Sequence, residues 1–231
     1  MRYTILSAGA MVLLGSGLAN AADCAPANGT EFVCSVDNVE HFAQLPNEQI
    51  IGSDLAVPGK QGFFFVFNPD RSVHAIQPED IAIAADSAYA QCPGAPDWKQ
   101  FGPYGIDVVM AGNTGTLYAA NHGGREAIEI CGVELADKAP KLTWKGCLIA
   151  PKGAWPDDVA ALPDGGLAVT SLWDPEDDGW VDKLVTGKPV GGLFEWHPGP
   201  GWSVVQGSES ISGPNGVIAM NRTGYAGGSN F

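Results

Sequence analysis

Asp158-Val159-Ala160-Ala161-Leu162-Pro163-Asp164-Gly165-Gly166-Leu167-Ala168-Val169-Thr170 is two short apolar runs folded about a Pro-Asp-Gly-Gly turn. The runs are too short for a helix, and the glycines supply the positive φ that a tight turn between antiparallel strands requires. The same order of parts recurs on both sides. It runs from Asp54-Leu55 to Gly62-Phe63-Phe64-Phe65-Val66-Phe67, and from Gly105-Ile106 to Gly115-Thr116-Leu117-Tyr118-Ala119-Ala120. It returns from Gly216-Val217 to Gly224-Tyr225-Ala226. The leading aliphatic residues Leu55, Ile106, Val159 and Val217 stand 51, 53 and 58 residues apart.

A period of this size, built from short strands and turns, predicts an all-β chain of the β-propeller class. Each repeat is a small antiparallel sheet that cannot bury both of its faces, so neighbouring repeats stack. Inner strands are expected at 106–110 and 159–162, and further strands at 127–131, 142–144 and 192–196. A β-sandwich also has recurring short strands, but it has no fifty-residue period. The 31 glycines and 17 prolines agree with a strand-and-turn protein, and no stretch from residue 22 onward sustains helical periodicity. Three fairly complete repeats are followed by a fourth that breaks off at Gly227-Gly228-Ser229-Asn230-Phe231. The expectation is about three and a half blades, an incomplete propeller.

Residues 1–21 are expected to be a signal peptide. Arg2 precedes an apolar run from Ala8 to Leu18, and Ala19-Asn20-Ala21 has the small-x-small form of a cleavage site. The run is too short for a permanent membrane span. Residues 22–231 then form a partial propeller domain in the periplasm or outside the cell. A formal net charge of −14 argues against nucleic acid or an anionic membrane as partner. Of five cysteines, Cys24–Cys34 and Cys131–Cys147 are the pairs nearest in sequence, leaving Cys92 over, with a partner expected in absent sequence.

Polar residues gather where the repeats begin: Ser53-Asp54, Tyr104-Gly105-Ile106-Asp107, Pro156-Asp157-Asp158 and Pro214-Asn215-Gly216. In a propeller such positions converge on the central channel. Asp54, Asp157, Asp158 and Asn215 would place hard oxygen donors there, suited to Ca²⁺. Without a cation, clustered carboxylates repel and displace one another's pKa. The four histidines 41, 74, 122 and 197 show no zinc spacing. The loop Asp174-Pro175-Glu176-Asp177-Asp178-Gly179 lacks the ligand spacing of an EF-hand and reads as a solvated acidic loop.

Phe101-Gly102-Pro103-Tyr104-Gly105-Ile106, Ala120-Asn121-His122, Pro156-Asp157-Asp158-Val159 and Gly213-Pro214-Asn215-Gly216-Val217, in this order, resemble the paraoxonase/arylesterase group. More loosely they resemble the gluconolactonase/regucalcin (senescence marker protein) group. The resemblance implies a six-bladed propeller with calcium in its channel, hydrolysing lactones and small esters. It implies Asp157 and Asn215 as ligands of a catalytic calcium. It also implies Asp54, Asp158 and the carbonyl of Ile106 around a deeper, structural one. His122 matches the second histidine of the family's catalytic pair. Where the first stands, this chain has Tyr104, a poor base at neutral pH. The family's usual first ligand, a Glu, is not found at Ser53-Asp54, and Asp157 replaces the more usual Asn. A non-catalytic binding propeller pinned by calcium, and an inactive fragment of a longer enzyme, are the competing expectations.

Overall fold

A computed structural model describes residues 25–33, 36, 38–55, 60–220 and the backbone of 224–226. The expected signal peptide, Cys24, Cys34 and the segment from Gly227 to Phe231 lie outside the described residues. Two units are distinguished, with the division after Ser35. In the first, Ala27 and Thr30 close a tight turn by two backbone hydrogen bonds of 3.0 and 2.9 Å.

Among the described residues the second unit is all-β apart from one short helix and three single turns of 3₁₀-helix, and its strands follow one another into sheets. The first sheet is β1 (Val39–Gln44), β2 (Ile50–Asp54), β3 (Phe64–Phe67) and β4 (Val73–Ile76), ordered as in the sequence. β5 (Ala82–Ile83) joins the far edge of the second sheet, parallel to β9 (Lys141–Ile149). That sheet is otherwise the antiparallel series β6 (Pro103–Ala111), β7 (Thr114–Asn121), β8 (Ala127–Glu134) and β9. The third sheet is β10 (Pro156–Ala161), β11 (Leu167–Ser171), β12 (Gly192–His197) and β13 (Gly201–Val204), with helix α1 (Trp180–Val185) between its middle strands. β14 (Ile218–Met220) and β15 (Gly224–Ala226) pair as the start of a fourth.

The opening hairpin stretch is β10 and β11, with Val159 opposite Val169 and Ala161 opposite Leu167. Gly165 sits in its turn at φ +87°, a conformation open to glycine at little cost.

The first strands of the sheets lie side by side: β6 packs against β1 on one flank and against β10 on the other, and β14 lies along β10. Apolar residues fill the spaces between consecutive sheets. Leu45, Ile51, Phe64, Ile106, Leu117 and Trp144 are buried between the first and second. Ile128, Ile130, Leu148, Val159, Leu167 and Val169 are buried between the second and third. Ala160, Ala168, Leu193 and Val217 close the third against the fourth segment. Each sheet thus covers its neighbour's apolar face, the propeller-like way in which units unable to bury themselves become stable. The acidic loop holds itself by local bonds: Gly179 N–H donates to Asp177 Oδ1 at 3.0 Å and Lys183 pairs with Asp177.

Cysteine pairing differs from the sequence expectation. Cys92 is bonded to Cys147, with Cα atoms 5.1 Å apart, and Cys131 is a free, buried thiol whose pKa burial raises. Nearness in sequence misleads because Cys131 and Cys147 lie on adjacent strands out of register: Cys131 faces Trp144, and Cys147 faces Glu129. Cys92 instead arrives on the long loop between β5 and β6, so its partner need not be sought in absent sequence. The bond closes a loop of sequence separation 55. Cys92→Ser is expected to lower stability by roughly 2–3 kcal/mol in urea melts. Cys131→Ala, which leaves the crosslink intact, is expected to cost about 1 kcal/mol. Equal losses, together with a melt insensitive to reductant, would overturn this pairing.

Candidate active site

Three sheets carry the same irregularity at the same place. The register between first and second strand shifts between Val39 and Phe42, between Pro103 and Ile106, and between Pro156 and Val159. The two residues inside each bulge are Glu40-His41, Tyr104-Gly105 and Asp157-Asp158. A bulge re-aims side chains that a regular pleat would send to alternate faces. Pro214-Asn215-Gly216-Val217 repeats the spacing ahead of β14. Glu40, Tyr104 and Asp157 therefore occupy one structural position in three successive sheets, and Asn215 stands at the matching place in the sequence ahead of β14. His41, Gly105 and Asp158 occupy the next, and Gly216 follows Asn215 in the same way in the sequence.

The second set stitches the sheets together. His41 Nδ1 lies 2.8 Å from the carbonyl oxygen of Ile106, 3.0 Å from its nitrogen and 3.5 Å from Asp158 Oδ1. Asp158 accepts hydrogen bonds from Val159 N–H at 2.8 Å and Val217 N–H at 2.7 Å. Thr170 Oγ1 donates to the carbonyl of Asn215, tying the fourth segment to the third sheet. Burial raises the Asp158 carboxyl above its ordinary range, against the pull of His41 and its two backbone donors.

The residues expected around a deeper cation are thus only partly together. His41 Nδ1 reaches both the Ile106 carbonyl and Asp158, so the group between them is a histidine. Asp54 ends β2 opposite Val39. That place corresponds to Asn121 and Ser171, which end the second strands of the other two sheets opposite Pro103 and Pro156.

In the first set, burial raises Asp157 most, and the negative charges of Glu40 and Asp158 add to it, bringing its carboxyl to about 7. Burial likewise lifts the Tyr104 phenol above its ordinary value, reinforced by Glu40, Asp157 and Glu126. Three carboxylates therefore act on one phenol, and Tyr104 stays protonated at neutral pH. Among the described residues, no three His, Cys, Asp or Glu side chains approach closely enough to share a metal ion.

Beside this cluster lies an aromatic wall. The His122 ring is stacked on Trp155, centroids 3.5 Å apart and 12° between planes. Tyr104 meets His122 edge-on at 4.2 Å. Trp155 stacks on Trp173 at 4.0 Å, and Trp173 on Trp180 at 4.3 Å. His122 follows β7 directly, and its turn is held by the buried Asn121, whose Oδ1 accepts from Gly102 N–H and Gly123 N–H at 3.0 and 2.8 Å. Asn121 in turn donates to the buried Glu129, whose carboxylate also accepts from Arg125 and Trp144. His122 Nδ1 lies 2.5 Å from Glu126 Oε2, and its Nε2 is buried with no hydrogen-bond partner among the described residues.

Glu40, Glu126 and Trp155 are not singled out by the sequence. Glu40 has one available signal: Val39-Glu40-His41-Phe42 has the polar-pair spacing of Pro156-Asp157-Asp158-Val159 without its proline.

No family model matches the chain, and no curated protein matches it. Among solved structures it is similar to an oxidoreductase candidate (glucose dehydrogenase) from Thermus thermophilus, at 13% identity and a TM-score of 0.43, over 82% of this chain and 57% of that one. It is also similar to a candidate gluconolactonase, at 10% identity and a TM-score of 0.43, over 76% of this chain and 49% of that one. The chain spans about half the length of these structures. Likeness at this level carries no inference about activity.

Proposed function

We propose that this chain belongs to a six-bladed, calcium-dependent propeller hydrolase acting on lactones or small esters. The observation that carries the reading is the repeated bulge, which sets Glu40, Tyr104 and Asp157 at one position in three sheets, with Asn215 at the same sequence spacing ahead of β14. The donor chemistry fits a hard cation: two carboxylates and an amide oxygen, with the Asp157 carboxyl pushed to about 7 by burial and by the negative charges of Glu40 and Asp158. In this reading Glu40, Asp157 and Asn215 hold the ion. His41 stands where Asp54 was expected beside Asp158 and the Ile106 carbonyl, so no second cation is proposed there. A bound calcium would supply polarisation of the ester carbonyl and stabilisation of its oxyanion. The protein's own contribution is to accept the proton of the attacking water at His122 Nε2 and to exclude solvent with the Trp155 wall. Tyr104, its phenol held protonated, serves as hydrogen-bond donor rather than base.

The competing reading is a binding propeller in which calcium only stiffens the channel, and Tyr104 in the place of the family's histidine favours it. Turnover of a panel of γ- and δ-lactones and phenyl esters, measured with calcium and with chelator, separates the two. Calcium-dependent hydrolysis lost by at least about tenfold in chelator is expected. A calcium-raised melting temperature without turnover of any panel member would sink the enzyme reading.

A further inference from the structure

The His122 imidazole has two nitrogens in different surroundings, and one side chain outside the cluster decides which carries the proton. Glu126 follows His122 by four residues across the Gly123-Gly124 turn, and its Oε2 is 2.5 Å from Nδ1. An ionised carboxylate can only accept, so the nitrogen facing it carries the hydrogen. The ring cannot swivel away, because Trp155 covers one face at 3.5 Å and Tyr104 abuts it at 4.2 Å. The His122 side chain is only 10% exposed, and its Nε2 has no partner among the described residues. A buried polar atom left unpaired is costly, so its retention calls for an explanation.

We propose that Glu126 is a positioning residue that locks His122 in its Nδ1–H tautomer and so presents the Nε2 lone pair as the proton acceptor of the site. The catalytic use of that lone pair rests on the hydrolase reading; the tautomer does not. In the reaction, the water oxygen forms a bond to the ester carbonyl carbon while one water proton passes to Nε2 and the carbonyl π pair moves to oxygen. When the tetrahedral intermediate collapses, the bond to the leaving alkoxide breaks and the proton returns from Nε2 to that oxygen. Atoms and charge balance without a further reactant. Glu126 keeps its own proton count throughout and stabilises the transient imidazolium across Nδ1–H.

The experiment is long-range ¹H–¹⁵N correlation spectroscopy on the labelled chain without substrate, with the His122 signals identified by their loss in His122→Asn. Wild type is expected to show a protonated, pyrrole-type Nδ1 and a pyridine-type Nε2. Glu126→Ala is expected to shift the population toward the Nε2–H form. Glu126→Gln, whose amide oxygen can still accept, is expected to hold the Nδ1–H form. On any ester the chain turns over, Glu126→Ala should lower kcat about 30-fold with KM within about twofold, and Glu126→Gln should recover part of the loss. An Nε2–H tautomer in wild type, or an unchanged tautomer in Glu126→Ala, overturns the proposal. The expected tautomers with no turnover of any lactone or ester would instead bring down the hydrolase reading and leave the positioning role supported.

Discussion

Gly105→Ala is expected to cost about 3 kcal/mol, a large share of the roughly 5–15 kcal/mol that holds an ordinary domain folded, in a molecule where the matching change Gly216→Ala costs under about 1 kcal/mol. Gly105 occupies the second position of its bulge, and Gly216 the matching place in the sequence ahead of β14. A β-carbon at Gly105 would fall 2.1 Å from Asp158 Oδ1, 2.4 Å from its Cα and 2.6 Å from the carbonyl oxygen of Asp157. Two of these three atoms are backbone of β10, the strand that packs against β6, so relief requires the sheets to part. At Gly216 the nearest atom is Asp158 Oδ2 at 3.7 Å, an ordinary contact. Neither glycine has a positive φ, so backbone strain does not enter and the difference is one of space. Urea and thermal melts of the two variants check the claim. Similar losses from both, or a Gly105→Ala protein that melts as wild type, would show that the first strands do not approach as closely as described.

This glycine also shows why the sequence can be read so far and no further. The hairpin at 158–170 and the strands at 127–131 and 142–144 are legible because strand-turn-strand patterning is local. The starts of the second, third and fourth units are legible because each puts a polar residue two before its leading aliphatic residue. The first sheet is misphased by the sequence pattern. Its β2 passes for the leading strand because Leu55 and Ile106 stand 51 residues apart, whereas the structural equivalents are Phe42 and Ile106, 64 residues apart. The added length is the segment bearing β5 and Cys92, which docks on the outer edge of the second sheet and contributes nothing to the repeat. A period averages over such an insertion, and only strand pairing reveals it. The same misphasing points to Ser53-Asp54 in place of Glu40-His41. The His122–Glu126 contact is illegible for another reason: Gly123-Gly124 turns the chain, so no helical or strand spacing predicts that residues four apart meet.

The second large effect concerns Asp157, and its sign follows from the direction of its shift. Its carboxyl titrates near 7 in the folded protein against an ordinary 3.8. Between these values the unfolded chain has released its proton while the folded chain retains it, so rising pH favours unfolding across this window. The penalty is absent below about 3.8 and complete above about 7. At about 1.36 kcal/mol per pKa unit it approaches roughly 4 kcal/mol, and solvent screening brings the expected figure to about 2–4 kcal/mol. Asp157→Asn, measured in chelator, is therefore expected to stabilise the protein by that amount at pH 8 and by almost nothing at pH 4. On the proposed calcium reading the ion would reverse the sign, because it would bind the ionised carboxylate and displace one proton below pH 7. In wild type the calcium affinity is expected to fall about tenfold per pH unit from 7 to 5, and the calcium-induced rise in melting temperature to shrink with it. In Asp157→Asn the amide oxygen remains as a donor, so a smaller calcium response without that pH dependence is expected. A variant less stable than wild type in chelator at pH 8 would mean that Asp157 is compensated by a group other than a cation. A variant whose calcium response keeps the wild-type pH dependence would show that the ion does not bind at Asp157, and the metal reading of Glu40, Asp157 and Asn215 would fall with it.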